Sequence, residues 1–384
     1  MAALLIKTDD DFNLDRIADS GQCFRWTKQE AHVLPACGID LASAACPASV
    51  SQSFPARGTD LAYAACPASV SQSFPACGTD LASAACPASV SQSLPARGTG
   101  LASAACPVSA SQAFPACETD LAYAACPASV SQAFPAVGTD SCTYRIIAGK
   151  SCLYITDLGN GFFELDCSEN EYSRFWQDYF DLREDYRSIR RRIDPDQDPF
   201  LWEAAEHEKG IRILRQDPWE MLITFIISQN RNIPAIRRSV ELLSETCGEK
   251  KTDSRGLEYY AFPEPAALAA LTEKELSDCR LGYRCKYVHA AARAVEDGKI
   301  DLNSLREADD AAATDALTGL FGVGIKVASC VSLFGLHHID SFPIDVWMKR
   351  ILAEQYPEGY PFDRYSPYNG IYQQYMFAFY RHFY

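Results

Sequence analysis

The chain has 384 residues, 48% apolar and 11% aromatic, which is enough for two or three domains with real cores and excludes a disordered polypeptide. Its net charge of -15 argues against nucleic acid as a partner unless a local basic patch holds the backbone while the far face stays acidic. Of the sixteen cysteines, eight are copies of two positions in a repeat, and none forms a CxxC pair, so no zinc, iron–sulfur or other cofactor is expected.

The first residues, Met1 to Phe12, carry one Lys and then three Asp, with no apolar run of signal length. No later stretch reaches membrane-spanning length without charge or Pro. A cytoplasmic protein with reduced thiols is the expectation, with no membrane partner. Gly21-Gln22-Cys23-Phe24-Arg25-Trp26 reads as a strand.

A 20-residue unit then repeats. Pro35, Pro55, Pro75, Pro95, Pro115 and Pro135 open nearly identical copies, the last stopping near Asp140. Each copy carries few large apolar side chains, such as Leu61, Val70 and Phe74. A stacked solenoid, a binding array and a poorly ordered insertion all remain open. The low apolar content favours the last, because little can be buried to offset ordering. Thr143 to Thr156 and Gly161 to Asp166 have strand-like content with Gly turns, so the insertion falls where a hairpin loop would be. Lengthening such a loop from about five to about a hundred residues costs only about 3 kcal/mol of closure entropy.

From Glu169 the pattern turns helical. Trp202 to Ala205 opens one helix. Asp217-Pro218-Trp219 is an N-cap followed by Pro at the first helical position, ahead of an apolar run through Ile227. Further helices are predicted over Pro234 to Thr246, Pro265 to Asp278, Lys286 to Glu296 and near Tyr368 to Arg381. The fold class is α+β. Residues 1–34 and 141–190 form a small antiparallel-sheet domain, split by the insertion at 35–140, and residues 191–384 form a helical domain.

Two segments carry chemistry. In Leu317 to Ala328, a turn bearing Gly322, Val323 and Gly324 joins two helices, and the second helix presents its amides to an anion such as a phosphate. A plain helix corner would look the same. Lys326 follows that turn. Downstream, Phe342-Pro343-Ile344-Asp345 ends in a carboxylate suited to capping the next helix, to holding Lys326, or to both.

The glycine turn, its lysine and the Pro-x-Asp resemble the helix-hairpin-helix glycosylase superfamily. Within it the chain resembles the 8-oxoguanine DNA glycosylases, over residues 1 to about 30 and 141 to 384. Ser20 to Trp26, Ser228 to Ile233 and Leu281 to Tyr287 add to the match. The resemblance implies a base-excision enzyme with associated lyase activity, acting as a monomer on double-stranded DNA that carries oxidised guanine opposite cytosine, cytoplasmic and nucleoid-associated when bound. A non-catalytic DNA-binding relative and an alkylated-base glycosylase are the alternatives.

The resemblance also assigns roles. Lys326 would attack the sugar and form a Schiff base, with Asp345 stabilising positive charge. Gly322, Val323 and Gly324 would hold the DNA backbone. Asn230 would fill the space left by a flipped base, with Tyr283 wedging beside it and Arg284 bonding the estranged cytosine. Cys330 and Phe377 would sandwich the base, Gln373 would read its Watson–Crick edge, Pro343 would line its pocket, and the Gly21 carbonyl would accept the N7 hydrogen that only the oxidised base carries. Two departures stand out. Trp347 occupies the position of a His in the animal enzymes, and Ala235 that of an Arg in the cytosine-contacting loop.

Overall fold

The Asp217-Pro218 signal does what its chemistry dictates. Asp217 Oδ1 accepts the Glu220 N–H at 2.9 Å, and the helix runs Pro218–Ser228. Nearly every side chain of that helix is buried, from Met221 to Ile227, so it forms the axis of the helical domain. Phe225 stacks on Phe334 with centroids 5.5 Å apart, and Phe24 meets it edge-on from the sheet domain at 6.0 Å. Helices Ile233–Cys247, Cys285–Glu296 and Ile325–Val331 surround it, and Asn369–Phe383 closes the domain.

The computed structural model describes residues 3–29 and 142–383, together with the backbone of short strands within the repeat. The first body comprises 1–29, 143–157 and 161–384. Its sheet has the order Leu4–Lys7, Phe162–Leu165, Ser151–Gly159, Cys142–Ala148, Trp26–Gln29. The first and last neighbouring pairs are antiparallel, with Leu4 opposite Leu165 and Trp26 opposite Ile146. Thr143 pairs with Gln29, so the insertion leaves and re-enters the sheet at one hairpin end.

The second body holds the repeat. Its described strands pair in parallel with like residues in register one unit apart: Leu61 with Leu81, Val50 with Val70, and Val70 with Val90. A solenoid stacks its units in this way. The expectation of poor order over 35–140 falls largely outside the described residues.

Several expectations need correction. Gly21 to Arg25 is not a strand. Gly21 takes a left-handed φ of +84°, and only Trp26–Gln29 pairs in the sheet. Buried Gln22 explains the difference. Its amide donates to Ser20 Oγ at 2.8 Å and to the Arg212 carbonyl at 2.9 Å, and its Oε1 accepts the Leu214 N–H at 2.9 Å. Those bonds to the helical domain replace a ladder. The Pro265 to Asp278 segment splits into Pro265–Ala269 and Glu273–Asp278, because Thr272 and Glu275 form a capping box that starts a new helix. The helix expected to open at Trp202 spans Pro199–His207, capped by Asp198 with Pro199 at its first turn.

Candidate active site and nucleic-acid interface

Gly322 sits at φ +85°, in the left-handed region, and a Cβ there would overlap the Tyr287 ring. Glycine is therefore required twice over, by backbone and by space. Gln229 Nε2 donates to the Gly322 carbonyl at 3.1 Å, tying the turn to the end of the central helix. Val323 is buried and anchors the turn, whereas Gly324 is exposed and starts the helix Ile325–Val331, which continues through a π turn over Ser332–Leu336. Phe321 and Ile325 flank the turn and are more than half exposed, as an outward-facing corner requires.

Lys326 is half-buried, its Nζ 5.5 Å from the centre of the Phe225 ring. One helical turn on, Cys330 is buried on the same face as Lys326. Burial pushes the Cys330 thiol up. The Lys326 charge opposes that shift and the Asp345 charge adds to it, so all three groups share one neighbourhood. Asp345 caps Val346–Gln355, with its Oδ1 accepting the Met348 N–H at 2.8 Å. No ion pair within 4.0 Å joins Asp345 to Lys326 among the described residues, so the carboxylate does not grip the lysine directly as the sequence suggested. Its Oδ1 is committed to the Met348 amide.

The other residues the resemblance assigns to the base come from three segments. Buried Gln373 donates to the Pro343 carbonyl at 3.2 Å and accepts from Gln374 at 2.9 Å. Phe377, one turn on, lies beside Gly21: a Cβ on Gly21 would stand 3.5 Å from the ring. Arg381 completes this corner, 5.2 Å from the Phe377 ring and donating to the Asp19 carbonyl at 3.4 Å. Sequence reasoning passed over Arg381, Phe225 and Gln229. The helical spacing Phe377/Arg381 was the available signal for the first, and the others depend on contacts across distant segments.

At the other edge, Asn230 is exposed and takes a left-handed φ of +51°. Tyr283 is 51% exposed, with the Arg284 guanidinium 4.3 Å over its ring. Arg284 itself departs from expectation. It is 5% exposed and spends its donors on main-chain carbonyls: Gln229 through Nε at 2.9 Å and again through Nη2, Leu281 at 3.2 Å, and Asn230 at 3.3 Å. An inward guanidinium braces the Asn230 turn and is not free to meet a base. A cation this well surrounded by carbonyls loses little by desolvation. Trp347 is exposed at the start of its helix, 5.3 Å from the Arg350 guanidinium. Among the described residues no cluster of three His, Cys, Asp or Glu could hold a metal ion, and no helix is long and apolar enough to cross a membrane.

A sheet domain packed on a helical domain, with a glycine turn delivering a lysine toward a half-buried aspartate, defines the helix-hairpin-helix base-excision class. Residues 136–222 match the 8-oxoguanine DNA glycosylase N-terminal domain, and residues 223–358 match the HhH-GPD superfamily of base excision DNA repair proteins. The chain belongs to the 8-oxoguanine DNA glycosylase family. It is 39% identical over 156 residues to the N-glycosylase/DNA lyase OGG1 of Arabidopsis thaliana, a stretch that covers 39% of this chain and 42% of that protein. The chain thus spans less than half of that relative. The apo-form 8-oxoguanine glycosylase/lyase of Clostridium acetobutylicum is 32% identical with a TM-score of 0.58, covering 62% of this chain and 85% of that one. A structure of MBOgg1 in complex with a low affinity DNA ligand is 26% identical with a TM-score of 0.66, covering 100% and 99%.

Proposed function

We propose that this chain removes 8-oxoguanine from double-stranded DNA and then nicks the strand through a lysine Schiff base. The observation that carries the reading is the half-buried Lys326 held over the Phe225 ring directly behind the glycine turn, with buried Cys330 one helical turn on.

The turn amides and the exposed corner at Phe321 and Ile325 receive the sugar–phosphate backbone. Asn230, held out by its left-handed backbone, enters the duplex as the damaged base leaves it, and Tyr283 wedges beside it. The base enters between Cys330 and Phe377. Gln373 is fixed by Pro343 and Gln374, so its orientation is set before the base arrives, and reading a polar edge then needs no reorganisation. The Gly21 carbonyl accepts the N7 hydrogen. Ordinary guanine offers a lone pair there, a mismatch of about 1–3 kcal/mol.

Lys326 in its neutral form forms a bond to the anomeric carbon as the bond to the base breaks, and the base departs with the electron pair and takes up a proton. Asp345, fixed by its cap, stabilises positive charge on the sugar without itself bonding to it. Opening of the sugar ring leaves a protonated Schiff base on Lys326, and loss of a proton from the adjacent carbon expels the 3′ phosphate. Ala235 and the inward Arg284 leave fewer donors for the opposite base, so discrimination for cytosine is weaker than in relatives with an Arg at position 235.

Borohydride trapping on a duplex with 8-oxoguanine opposite cytosine tests this. The wild-type chain forms a covalent adduct, and Lys326→Gln binds the duplex but forms none. An adduct of undiminished yield in that variant overturns the assignment of the nucleophile, and absence of any excision by the wild type overturns the function.

A further inference from the structure

One cavity of the first body is lined by none of the residues proposed for that chemistry. It is a cleft of about 450 Å³ lined by Arg174, Arg183, Arg215 and Arg306, with Asp178 and Asp181 as its acids. Both aspartates are already committed. Asp178 pairs with Arg183 at 3.2 Å, and Asp181 pairs with Arg215 at 2.7 Å while accepting the Tyr186 hydroxyl at 2.9 Å. Two cations are left over. Arg306 is partly buried and donates to the Gln216 carbonyl at 3.0 Å; the Asp217 carboxylate of the adjoining chamber acts on it from beyond ion-pair range. Arg174 makes no hydrogen bond or ion pair among the described residues. Surplus arginines in a concave site are unusual on a chain of net charge -15.

An inner chamber of about 160 Å³ continues from the cleft, sharing Phe175, Tyr179, Arg215 and Arg306 with it. Arg25 lines the chamber with a side chain only 2% exposed. Its Nε pairs with Glu241 at 2.7 Å and its Nη2 reaches the Tyr260 carbonyl at 2.6 Å, but its buried Nη1 has no partner. The Glu220 carboxyl lines the same chamber and acts on this guanidinium through its charge. Phe175 and Tyr179 line both cavities, their rings stacked at 5.9 Å and 23°.

We propose that this cleft binds a small nucleoside phosphate, its phosphate held by Arg306 and Arg174 and its base against Phe175. Arginine pairs recognise phosphate in bidentate geometry, and the volume falls within the range of about 300–1,000 Å³ usual for small-molecule sites. The chamber adjoins Asp217 and Glu220 at the start of the helix Pro218–Ser228, whereas Asn230 follows that helix's end. Eleven residues separate the ends by about 16 Å, so Asp217 on the chamber wall and Asn230 at the DNA corner lie at opposite ends of one helix.

The test uses the full chain, with adenosine monophosphate as probe and adenosine as control, in the presence of a saturating abasic-analogue duplex. Saturable binding of the monophosphate is expected, with adenosine failing in the same range and the duplex causing no competition. Arg174→Gln/Arg306→Gln should weaken it by about tenfold or more, and Arg174→Gln alone, which breaks no contact, should weaken it while keeping duplex affinity. The proposal is overturned by absence of saturation, by equal binding of adenosine, by competition from the duplex, or by unchanged affinity in both variants. It is also overturned if Arg174→Gln lowers duplex affinity and flattens its salt dependence, since the cleft would then be a backbone contact of the DNA.

Discussion

Substituting Gly322 by Ala concentrates two penalties at one atom. The left-handed backbone costs an L-residue about 1–2 kcal/mol. The new Cβ also falls on the Tyr287 ring, which is packed against the core and cannot withdraw freely. Overpacking of this kind costs about 1–3 kcal/mol. The sum is about 2–5 kcal/mol out of a total stability of about 5–15 kcal/mol. At about 2 kcal/mol per molar of urea, the unfolding midpoint should fall by about 1–2.5 M. Urea unfolding followed by Trp fluorescence reads the shift directly. A double-mutant cycle with Tyr287→Ala separates the terms: about 1–3 kcal/mol of coupling reports the ring overlap, and the residue is the backbone strain. Excision should fall more than duplex binding, because the same turn aims Lys326. A midpoint within about 0.3 M of wild type, or zero coupling, refutes the reasoning.

Asp345→Asn retains an Asn cap, so stability should change by less than about 0.5 kcal/mol while excision collapses. Asp345→Ala should lose about 1 kcal/mol as well, and full excision in the Asn variant would leave Asp345 only a capping role. Gln22→Ala strands the Leu214 N–H and the Arg212 carbonyl, and should cost about 3 kcal/mol in chemical denaturation. Glu220 is buried, and burial pushes its carboxyl up from 4.5 to about 7 despite Arg25 nearby. The folded state then holds a proton that the unfolded chain has lost. Stability from this group is full below about pH 4.5 and drains away as pH rises to about 7, a loss on the order of a few kcal/mol. Glu220→Gln should flatten the stability–pH curve in that window, and a slope equal to wild type would show that the carboxylate is charged throughout.

What could be read in advance followed from local chemistry. Asp217-Pro218 marked a helix start because an Asx cap and a fixed Pro φ act within four residues. The common face of Lys326 and Cys330 follows from helical spacing, and Gly322 from the need for a sharp turn. The hairpin position of the insertion was likewise legible from the strand content on its two sides. Long-range bonds were not. Gln22 reads as one polar residue in an apolar strand, yet its partners lie in the helical domain and convert that strand into a turn. Arg284 looks like a surface cation until the Gln229 and Asn230 carbonyls are seen around it. The split at Thr272 was visible in principle, since T-x-x-E is a capping box, but it lay inside a run that otherwise suits one helix.

The pairing of Gln29 with Thr143 gives the molecule a built-in grafting point. Across an antiparallel pair the Cα atoms stand about 5 Å apart, so whatever is spliced between them needs only neighbouring termini to leave the host undisturbed. Repeat copies could be gained or lost in whole units there, and a fluorescent or affinity module with adjacent ends could replace them, without moving Lys326 or Asp345.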